Sequence, residues 1–466
     1  MSLASERDST GDAVRDTARV ISAFAAGLTY DQIPQEALDT ARMYIADYYA
    51  ACFAGIKVNR AFNEAMLGIT EGMSGVGDTS VFELDHKLLV ESAAFMNAIY
   101  AHGADMDDGN RKAMGHVAAH VMSAVFALAE SLGDRTWQDV LVAIMVGYEV
   151  YNRVGAMAQP GLVHRGFHST GTAGAVACGA ACARLMGLNA DGIYSALGIA
   201  AIQASGLIII AESGQACKPL NPANAARTGI LSAKLAAAGV KGPDYPLESK
   251  KGWLHAMTDE VHYEMLDDLG QVFTICESYL KPYPSCRHTH CGIEAAISIR
   301  DEMREKGLAT ADIRSLKLYI YENAIQIAGQ IRIPKTPDNA KFSIHYSLAV
   351  AMATGNYTLD DLEKEPTDEV REIVEKTELI PDPAMEDTAS GIRGSRLVAE
   401  FTDGSSTERT VLLPKGDAAN PFSWEDMERK LEACMQGFSY QPEAVAEKLR
   451  TQDFAAPYQG ILELLA

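Results

Sequence analysis

The sequence predicts a mainly α protein: a large all-helical domain built from both chain ends, with a smaller α+β lid domain inserted between them. Two observations lead to this fold class. Apolar residues have helical spacing in the first part of the chain and again at its end, whereas strand-like alternation occurs only in between. We therefore expect helical segments at residues 1–276 and 413–466, flanking a lid at residues 277–412.

Three patterns predict the helical part. After Pro34, apolar residues recur at three- and four-residue steps towards an expected stop at Gly55, namely Leu38, Ala41, Ile45, Tyr48 and Cys52. Thr136 and Asp139 have the spacing of a capping box and predict a helix to about residue 154. Small residues fill two further stretches, which predicts helices packed closely inside a bundle, at residues 171–183 and 223–239.

The inserted part has strand signals. Apolar Leu316, Leu318 and Ile320 alternate with polar or amphipathic neighbours, which predicts a strand. Residues 397–402 and 407–413 flank Asp403-Gly404 and predict a hairpin. Residues 378–394 carry two prolines, two glycines and several acids, so we expect an exposed loop there. Helical spacing returns after Ser423, an expected N-cap, with Leu431 and Cys434 on one face.

Charge and cysteine content narrow the function classes. The 466 residues carry 40 Lys and Arg against 62 Asp and Glu, a formal charge of −22. This excludes a general nucleic-acid or anionic-membrane binder, since such partners attract basic surfaces. None of the eight cysteines forms a Cys-x-x-Cys pair, so we expect reduced thiols and a cytoplasmic location. No apolar run is long enough for an expected membrane span.

The first of four polar segments runs from His102 to His120 and contains Asp105, Asp107 and Asp108. Three close aspartates repel unless they are paired or hydrogen-bonded, so at least one is expected to cap the next helix. The segment could supply carboxylates and imidazoles for acid–base chemistry, or form only a capped acidic turn. His116 and His120 also have metal-ligand spacing, although the glutamate of a His-Glu-x-x-His site is absent.

The second and third segments each precede a small-residue helix. Arg165 and His168 come before residues 171–183, where free N–H groups suit an anion, although simple capping by the following Ser or Thr is an equal alternative. Lys218 comes before residues 223–239 and could hold a carboxylate, or be a solvated surface lysine.

The fourth segment, Lys281 to Cys291, is the densest ionisable cluster of the chain. Zinc is disfavoured because Cys-x-His-x-His-Cys cannot point all four groups at one ion, and no second cluster is evident. Its cations suit polycarboxylate binding. Together the four segments supply a local cationic set that predicts a small anionic substrate, with Asp105 or a neighbour as base: His102, His116, Arg165, His168, Lys218, Lys281, Arg287, His288 and His290.

Taken together, these segments resemble the MmgE/PrpD family, which includes 2-methylcitrate dehydratases, cis-aconitate decarboxylases and iminodisuccinate epimerases. The similarity runs nearly end to end. The sequences that carry it include LTYDQIPQEALDTARMYIADYYAACFAG, AAFMNAIYAHGADMDDG, GFHSTGTAGAVACGAACARLMGL, KPLNPANAARTGILSAKLAAAGVKGP, LKPYPSCRHTHCGIEAA and GDAANPFSWEDMERKLEAC. The resemblance implies the fold predicted above, a homodimer, a site in the cleft between the domains, and catalysis without an iron–sulfur cluster, metal or other cofactor.

Site residues follow from these motifs. The resemblance implies catalytic roles for Asp105, His116 and His168. Substrate binding is expected from six further residues: His102, Lys218, Lys281, Cys286, Arg287 and His290. The sequence departs from the usual family pattern at four positions. These are Gly109 in place of threonine, Val117 in place of proline, Asn221 in place of histidine and Ala223 in place of glycine.

The implied function is a metal-independent lyase, a dehydratase or decarboxylase, acting on a small di- or tricarboxylate of the methylcitrate or aconitate type. Proton transfer next to a carboxylate would be its central step. An epimerase of a dicarboxylate such as iminodisuccinate could use the same site, because both reactions begin with the same proton abstraction. A helical binding protein that keeps the fold without activity is the third reading.

Overall fold

The computed structural model describes residues 16–210, 214–387 and 392–465, which form 18 α-helices and six strands. Up to residue 276, the described residues contain helices, turns and isolated bridges but no strand. The helices before the lid are α1 Thr17–Gly27, α2 Gln35–Lys57, α3 Arg60–Ser74, α4 Val90–Gly103, α5 Ala118–Leu132, α6 Trp137–Met157, α7 Gly161–His164, α8 Ser169–Leu185, α9 Ala190–Ala201, α10 Leu220–Ala237 and α11 Trp253–Met257.

Helices α2 and α6 begin where the sequence predicts. Pro34 is the N-cap of α2, and Thr136 and Asp139 form the capping box that opens α6. Gly55, however, does not end α2, which continues to Lys57. A Cβ atom on Gly55 would overlap the backbone carbonyl of Tyr100 in α4, so this glycine allows two helices to touch.

The two small-residue helices, α8 and α10, lie inside the helical bundle as expected, and the structure shows that they pack against each other. Every residue of α8 except Arg184 is buried. A Cβ atom on Gly229 of α10 would overlap the backbone of Cys178 in α8, so the helix axes approach closely at this point. This contact fixes the positions of both helix N-termini, which carry the second and third polar segments of the sequence.

The lid combines five helices with a four-stranded sheet. Its helices are α12 His290–Glu305, α13 Glu322–Ala328, α14 Pro337–Lys341, α15 Ile344–Thr354 and α16 Asp368–Lys376; its strands are β1 Ile313–Ile320, β2 Thr377–Pro381, β3 Glu386–Asp387, β4 Ile392–Arg393, β5 Ser395–Phe401 and β6 Ser406–Val411. The sheet order is β2-β1-β5-β6, with β1 and β2 parallel and the other pairs antiparallel. β5 and β6 are the predicted hairpin.

The expectation of an exposed loop at residues 378–394 is wrong for much of that segment. Strand β2 pairs with β1 from Thr377 to Pro381, and β3 pairs with β4. Pro381 is tolerated because β2 lies at the sheet edge, where a missing N–H breaks no ladder. Residues 388–391 lie outside the described residues.

The chain returns to helix in α17 Trp424–Met435 and α18 Pro442–Thr451. Ser423 caps α17, as predicted, through a capping box with Asp426. Buried Lys430 of α17 donates to Oδ1 of Asp47 in α2, at 2.5 Å, and to the backbone carbonyl of Met106, at 2.8 Å. One ion pair therefore joins the C-terminal helices to the N-terminal helices and to the segment that contains Asp105.

Helix α6 is the single helix in the described part of the chain that is long and apolar enough to cross a membrane. All of its most apolar window is buried inside the protein. The helix is therefore surrounded on all sides by other parts of the same chain, as a core helix would be.

The Asp47–Lys430 pair yields a stability prediction. Burial raises the pKa of Asp47 to about 6 even though Lys430 lowers it. Lys430→Met should destabilise the protein by about 3–5 kcal/mol, because it leaves a buried charge without a partner. The folded-state pKa of Asp47 would rise further, so the loss should be larger at pH 8 than at pH 5.5.

Chemical denaturation at both pH values measures this effect. Lys306→Met, which removes an exposed pair with Glu302, is the matched control and should cost less than about 1 kcal/mol. Asp47→Asn combined with Lys430→Met should recover much of the loss. Equal stability of Lys430→Met and the control would contradict the prediction.

Candidate active site

Most of the predicted site residues line one cavity, which has a volume of about 360 Å³. Asp105, His116, His168 and Lys218 line it from the helical part. Lid residues close the other side, among them Asn323, Gln326 and Phe342. The volume suits a small organic acid.

Asp105 is the centre of the site. It follows α4 with a left-handed backbone conformation, φ 53°, and its side chain is buried. Its Oδ1 atom accepts from Nζ of Lys218 at 2.6 Å and from Nζ of Lys281 at 3.2 Å. Lys281 also donates to the Asp105 backbone carbonyl at 2.8 Å. Three of the four polar segments thus meet at one carboxylate.

The ammonium groups set the protonation state of Asp105. Burial raises the pKa of this carboxyl, but Lys218, Lys281 and His116 outweigh burial and hold the pKa well below its usual range. A carboxylate with so low a pKa is a poor proton acceptor. Its geometry instead fits a fixed negative charge that holds two buried lysines at the cavity wall.

His116 has a defined tautomer. Its Nδ1 atom lies 2.8 Å from the backbone carbonyl of Asp108, which can only accept, so Nδ1 carries a proton. In the neutral ring, Nε2 therefore has a free lone pair. Nε2 lies 3.5 Å from Oδ1 of Asp105, and Nδ1 lies 3.3 Å from Oδ2 of Asp107. A proton gained at Nε2 would therefore face Asp105, and the charged ring would lie between two carboxylates.

His102 lies behind His116 and does not line the cavity. The two rings meet edge to face at 4.6 Å, and His102 Nδ1 lies 2.8 Å from Oδ2 of Asp107. Burial lowers the pKa of His102 to about 4, although Asp107 opposes this shift. The predicted substrate contact of His102 is replaced in the structure by support of His116 and Asp107.

The expectation that one aspartate caps the next helix is confirmed at Asp108. Its Oδ1 accepts from the backbone N–H groups of Val117 and Ala118 at the start of α5, and its Oδ2 accepts from the Tyr148 hydroxyl at 2.7 Å. Burial raises the pKa of Asp108 to about 7. The departure at Val117 also has a reason, since proline would have no N–H to donate to Asp108.

His168 forms the N-cap of α8 and faces the cavity. Its backbone N–H donates to the carbonyl of Gly206, whose φ of 135° requires glycine. The side-chain amide of Asn221 donates to Leu207 O at 3.4 Å and to His168 Nδ1 at 2.9 Å. Nδ1 is therefore an acceptor, and the proton of the neutral His168 ring is on Nε2.

The protonation of His168 follows from its surroundings. Burial, and then Lys218, hold the pKa of His168 well below its usual range, so the ring stays neutral at physiological pH. His168 thus presents an uncharged N–H donor, whereas neutral His116 presents a lone pair. The departure at Asn221 has a consequence here, since an amide N–H can only donate to the ring.

The fourth segment divides between the cavity and the core. Lys281, Cys286, Arg287 and His288 line the cavity. A 3₁₀ turn, Arg287–Thr289, directs His288 inward, and the ring Nδ1 contacts the Tyr321 hydroxyl. Burial raises the pKa of the Cys286 thiol, which therefore stays neutral.

His290, a predicted substrate ligand, does not line this cavity. It is fully buried, its Nδ1 accepts from Arg287 at 3.3 Å, and its Nε2 donates to Ser285 O at 3.2 Å. Both ring nitrogens are therefore occupied within the protein. His288, two residues earlier, takes the position at the cavity that was expected for His290.

Arg165 is also absent from the cavity. Its guanidinium binds the backbone carbonyls of His255 and Ala256 and the carboxylate of Asp259. The expectation that Arg165 belongs to the cationic set at the site is therefore wrong, because α11 and the residues after it bind this side chain.

Sequence reasoning missed two arginines at the site. Arg111 and Arg393 line the cavity, and both also line a neighbouring cavity with Asp417. Arg111 and Arg287 each pair with Asp417. Burial, then the nearby Arg287, lowers the pKa of Arg111 to about 10. Arg111 lies within the first polar segment, three residues after Asp108, and this position was a signal that could have been used. Arg393 reaches the site only because it belongs to the short strand β4.

The structure separates the histidine pair for which metal binding was considered, and it brings another group of possible ligands together. His120 packs against Tyr151 and beneath Gly174, so it does not join His116 in a shared site. In the described residues, the one group with suitable ligand types and spacing is His102, Asp105, Asp107 and His116. Asp105 already contacts two ammonium groups, so a metal ion there would add positive charge beside them. The cluster is better suited to hold protons than a cation.

Comparison with known proteins finds relatives that align with most of this chain. The chain is 28% identical to cis-aconitate decarboxylase of Aspergillus terreus over 417 residues, 84% of each chain. It is 26% identical to cis-aconitate decarboxylase of Homo sapiens over 419 residues, 87% of this chain and 85% of the relative. It is 24% identical to 2-methylcitrate dehydratase of Salmonella typhimurium over 253 residues, 52% of each.

Two domain matches cover most of the sequence. Residues 19–266 match the MmgE/PrpD N-terminal domain, and residues 283–453 match the MmgE/PrpD C-terminal domain. The relatives reported above are named as enzymes, a decarboxylase and a dehydratase. The helical fold with an inserted sheet, the clustered motifs and these matches show that the chain belongs to the MmgE/PrpD family.

Proposed function

We propose that the protein is a metal-independent lyase that decarboxylates cis-aconitate or a close tricarboxylate. The observation that carries this proposal is the pairing, in one cavity, of lysine and arginine cations with a histidine whose Nε2 is free to exchange a proton. Similarity to cis-aconitate decarboxylases over more than four-fifths of the chain supports the substrate class.

The cations define two places for carboxylates. Lys218 and Lys281 share the single carboxylate of Asp105, which leaves one positive charge uncompensated. Arg111, Arg287 and Arg393 lie on the wall shared with the neighbouring cavity, where Asp417 supplies one carboxylate. Charge-assisted hydrogen bonds to both places would orient a polycarboxylate. These local charges overcome the negative charge of the whole protein at short range.

The reaction needs one proton donor. The bond from carbon to the departing carboxylate breaks, its electron pair forms a new C=C bond, and the former C=C electron pair moves to the carbon beside a second carboxylate. This carbon then takes a proton from Nε2 of the His116 imidazolium, and CO₂ leaves. The products are CO₂ and an unsaturated dicarboxylate, and no oxidant or reductant is consumed.

Negative charge develops on the second carboxylate while the carbanion exists. Neutral His168, with its proton on Nε2, can donate a hydrogen bond to this charge without becoming charged itself. Lys218 lies near His168 and adds a fixed positive charge. Preorganised donors of this kind are among the strongest contributors to catalysis.

Decarboxylation fits the site better than dehydration does. Dehydration needs a base at carbon and an acid at the departing hydroxyl, whereas decarboxylation needs a single proton transfer. Of the described imidazoles that line the cavity, His116 combines a free Nε2 with adjacent carboxylates that would stabilise the charged ring, while Asp105 and His168 are weak proton carriers. Epimerisation would also need two proton carriers on opposite faces.

Product analysis tests the proposal. Purified protein, treated with EDTA, should convert cis-aconitate to CO₂ and a five-carbon dicarboxylate that gains one deuterium in D₂O, followed by ¹H NMR. The same assay with 2-methylcitrate tests loss of water. Deuterium exchange without loss of CO₂ or water would indicate an epimerase. Loss of all turnover on EDTA treatment would contradict metal independence.

The role of His116 gives a second prediction. His116→Gln should lower kcat by roughly 10²–10⁴-fold with a smaller effect on KM, because the positioned proton donor is lost. Exposed His255→Gln on α11 is the control and should behave as the wild type. Unchanged turnover of His116→Gln would remove His116 from the reaction.

The tautomer of His168 gives a third prediction, through Asn221→Asp. A carboxylate at residue 221 accepts from Nδ1, so the neutral ring would lose its proton at Nε2, and only the imidazolium would keep a donor there. The aspartate would also raise the pKa of His168. We therefore expect kcat roughly 10²-fold below the wild type at pH 8.5, with recovery as the pH falls.

Measurement of kcat against pH tests this expectation, and ¹⁵N NMR of labelled histidine reports the tautomer without substrate. The groups that face His168 are Lys218, His102, His116 and Asp105, and they are unchanged in the variant. Asn189→Asp, at the exposed N-cap of α9, makes the same charge change and is the control. Identical pH profiles for the two variants would contradict the assignment.

A further inference from the structure

Tyr279 has a hydroxyl group at the wall of the cavity, and neither the sequence motifs nor the reaction above uses it. The residue is 92% buried, since only 8% of its surface is exposed, and it lines both the central cavity and the neighbouring cavity. Among the described residues, no hydrogen bond to this hydroxyl is found. The hydroxyl oxygen is not one of the fully enclosed polar atoms without a partner, so a ligand in the cavity can reach it.

Gly109 keeps the space that the phenol fills. The two residues are joined by a pair of backbone hydrogen bonds, from Gly109 N to Tyr279 O at 3.0 Å and from Tyr279 N to Gly109 O at 2.8 Å. A Cβ atom at residue 109 would overlap the Tyr279 hydroxyl and the ring carbon that carries it. The glycine at this position is therefore a requirement of the tyrosine conformation.

The surroundings of the phenol are cationic. The Arg287 guanidinium lies over the ring, 4.8 Å from its centroid, and Arg111 is close enough to interact electrostatically with the hydroxyl. Arg287 is itself fixed by three backbone carbonyls, those of Leu280, Pro414 and Lys415. The ring therefore has a fixed position, with its hydroxyl among positive charges.

From this geometry we infer that Tyr279 is a substrate-binding residue: its hydroxyl donates a hydrogen bond to a substrate carboxylate held by Arg111 and Arg287. The inference rests on the proposed function and deepens it, because it assigns the second carboxylate place to a named donor. Burial raises the pKa of the phenol, so the group stays protonated and can donate. A threonine at residue 109 would place its own short hydroxyl where the Tyr279 hydroxyl now lies. In this protein, Tyr279 fills that space from the other side of the Gly109–Tyr279 β-bridge.

Tyr279→Phe tests the inference, since it removes the hydroxyl and keeps the ring under Arg287. Loss of a hydrogen bond to a charged acceptor should raise KM for cis-aconitate by roughly 10-fold or more, with a smaller change in kcat. The thermal shift produced by cis-aconitate should fall accordingly. Tyr319→Phe is the matched control, because Arg396 lies over that ring at 4.0 Å and Tyr319 lies in the lid strand β1, away from the cavity wall.

The melting temperature without ligand separates a binding role from a structural one. Because the hydroxyl has no hydrogen bond within the described residues, Tyr279→Phe should melt at or above the wild-type temperature. A clear decrease would show a structural hydrogen bond and overturn the inference, whether or not the substrate is correct. An unchanged KM of Tyr279→Phe, measured beside a wild-type protein that does turn over cis-aconitate, would also overturn the inference. No binding or turnover by the wild type would instead contradict the proposed function, while the ligand-free melting result would still test Tyr279.

Gly109→Ala is a second variant, since it keeps the hydroxyl but displaces it. We expect a KM increase similar to that of Tyr279→Phe, and the double variant should be no worse than the poorer single variant if both act through the same group. Additive losses would show that Gly109 acts independently of Tyr279 and would contradict the link between them.

Discussion

The ion pairs of Asp105 with Lys218 and Lys281 are the interaction on which the rest of the site depends. A buried carboxylate without partners would be protonated, and two buried lysines without a carboxylate would repel each other and lose their charge. Because the three residues come from distant parts of the chain, their contact also joins the loop after α4, the start of α10 and the lid. In the proposed function, the shortage of one negative charge at this point attracts an anion into the cavity, even though the protein as a whole carries −22.

One backbone carbonyl and one side-chain amide then decide what each histidine can do. The Asp108 carbonyl fixes the proton of His116 on Nδ1, and the Asn221 amide fixes that of His168 on Nε2. Two chemically identical side chains in one cavity therefore have opposite properties, one a proton carrier and the other a neutral donor. This difference arises from their hydrogen-bond partners and needs no difference in exposure, since both rings are buried.

Local patterns in the sequence predicted the helices, because helical spacing and capping boxes are set by neighbouring residues. They failed where partners are distant. Strand β2 forms because Leu379 and Ile380 pair with β1, some sixty residues earlier, and nothing in its own composition indicates this pairing. Residues of all four polar segments line one cavity, but the sequence assigned substrate binding to His290, whereas the 3₁₀ turn Arg287–Thr289 places His288 at the cavity. Arg393 was missed for the same reason as β2.

Three of the residues that depart from the family pattern each have a matching neighbour in the structure. Val117 supplies an N–H that Asp108 accepts, Asn221 orients His168, and Gly109 admits the Tyr279 phenol. In a protein that had lost its reaction, substitutions at these positions would have no reason to meet matching donors or matching space. The buried ion pairs argue in the same direction, because apolar residues could fill this cavity at less cost than two lysines and a carboxylate. The structure is therefore better explained by an altered active site than by an inactive scaffold.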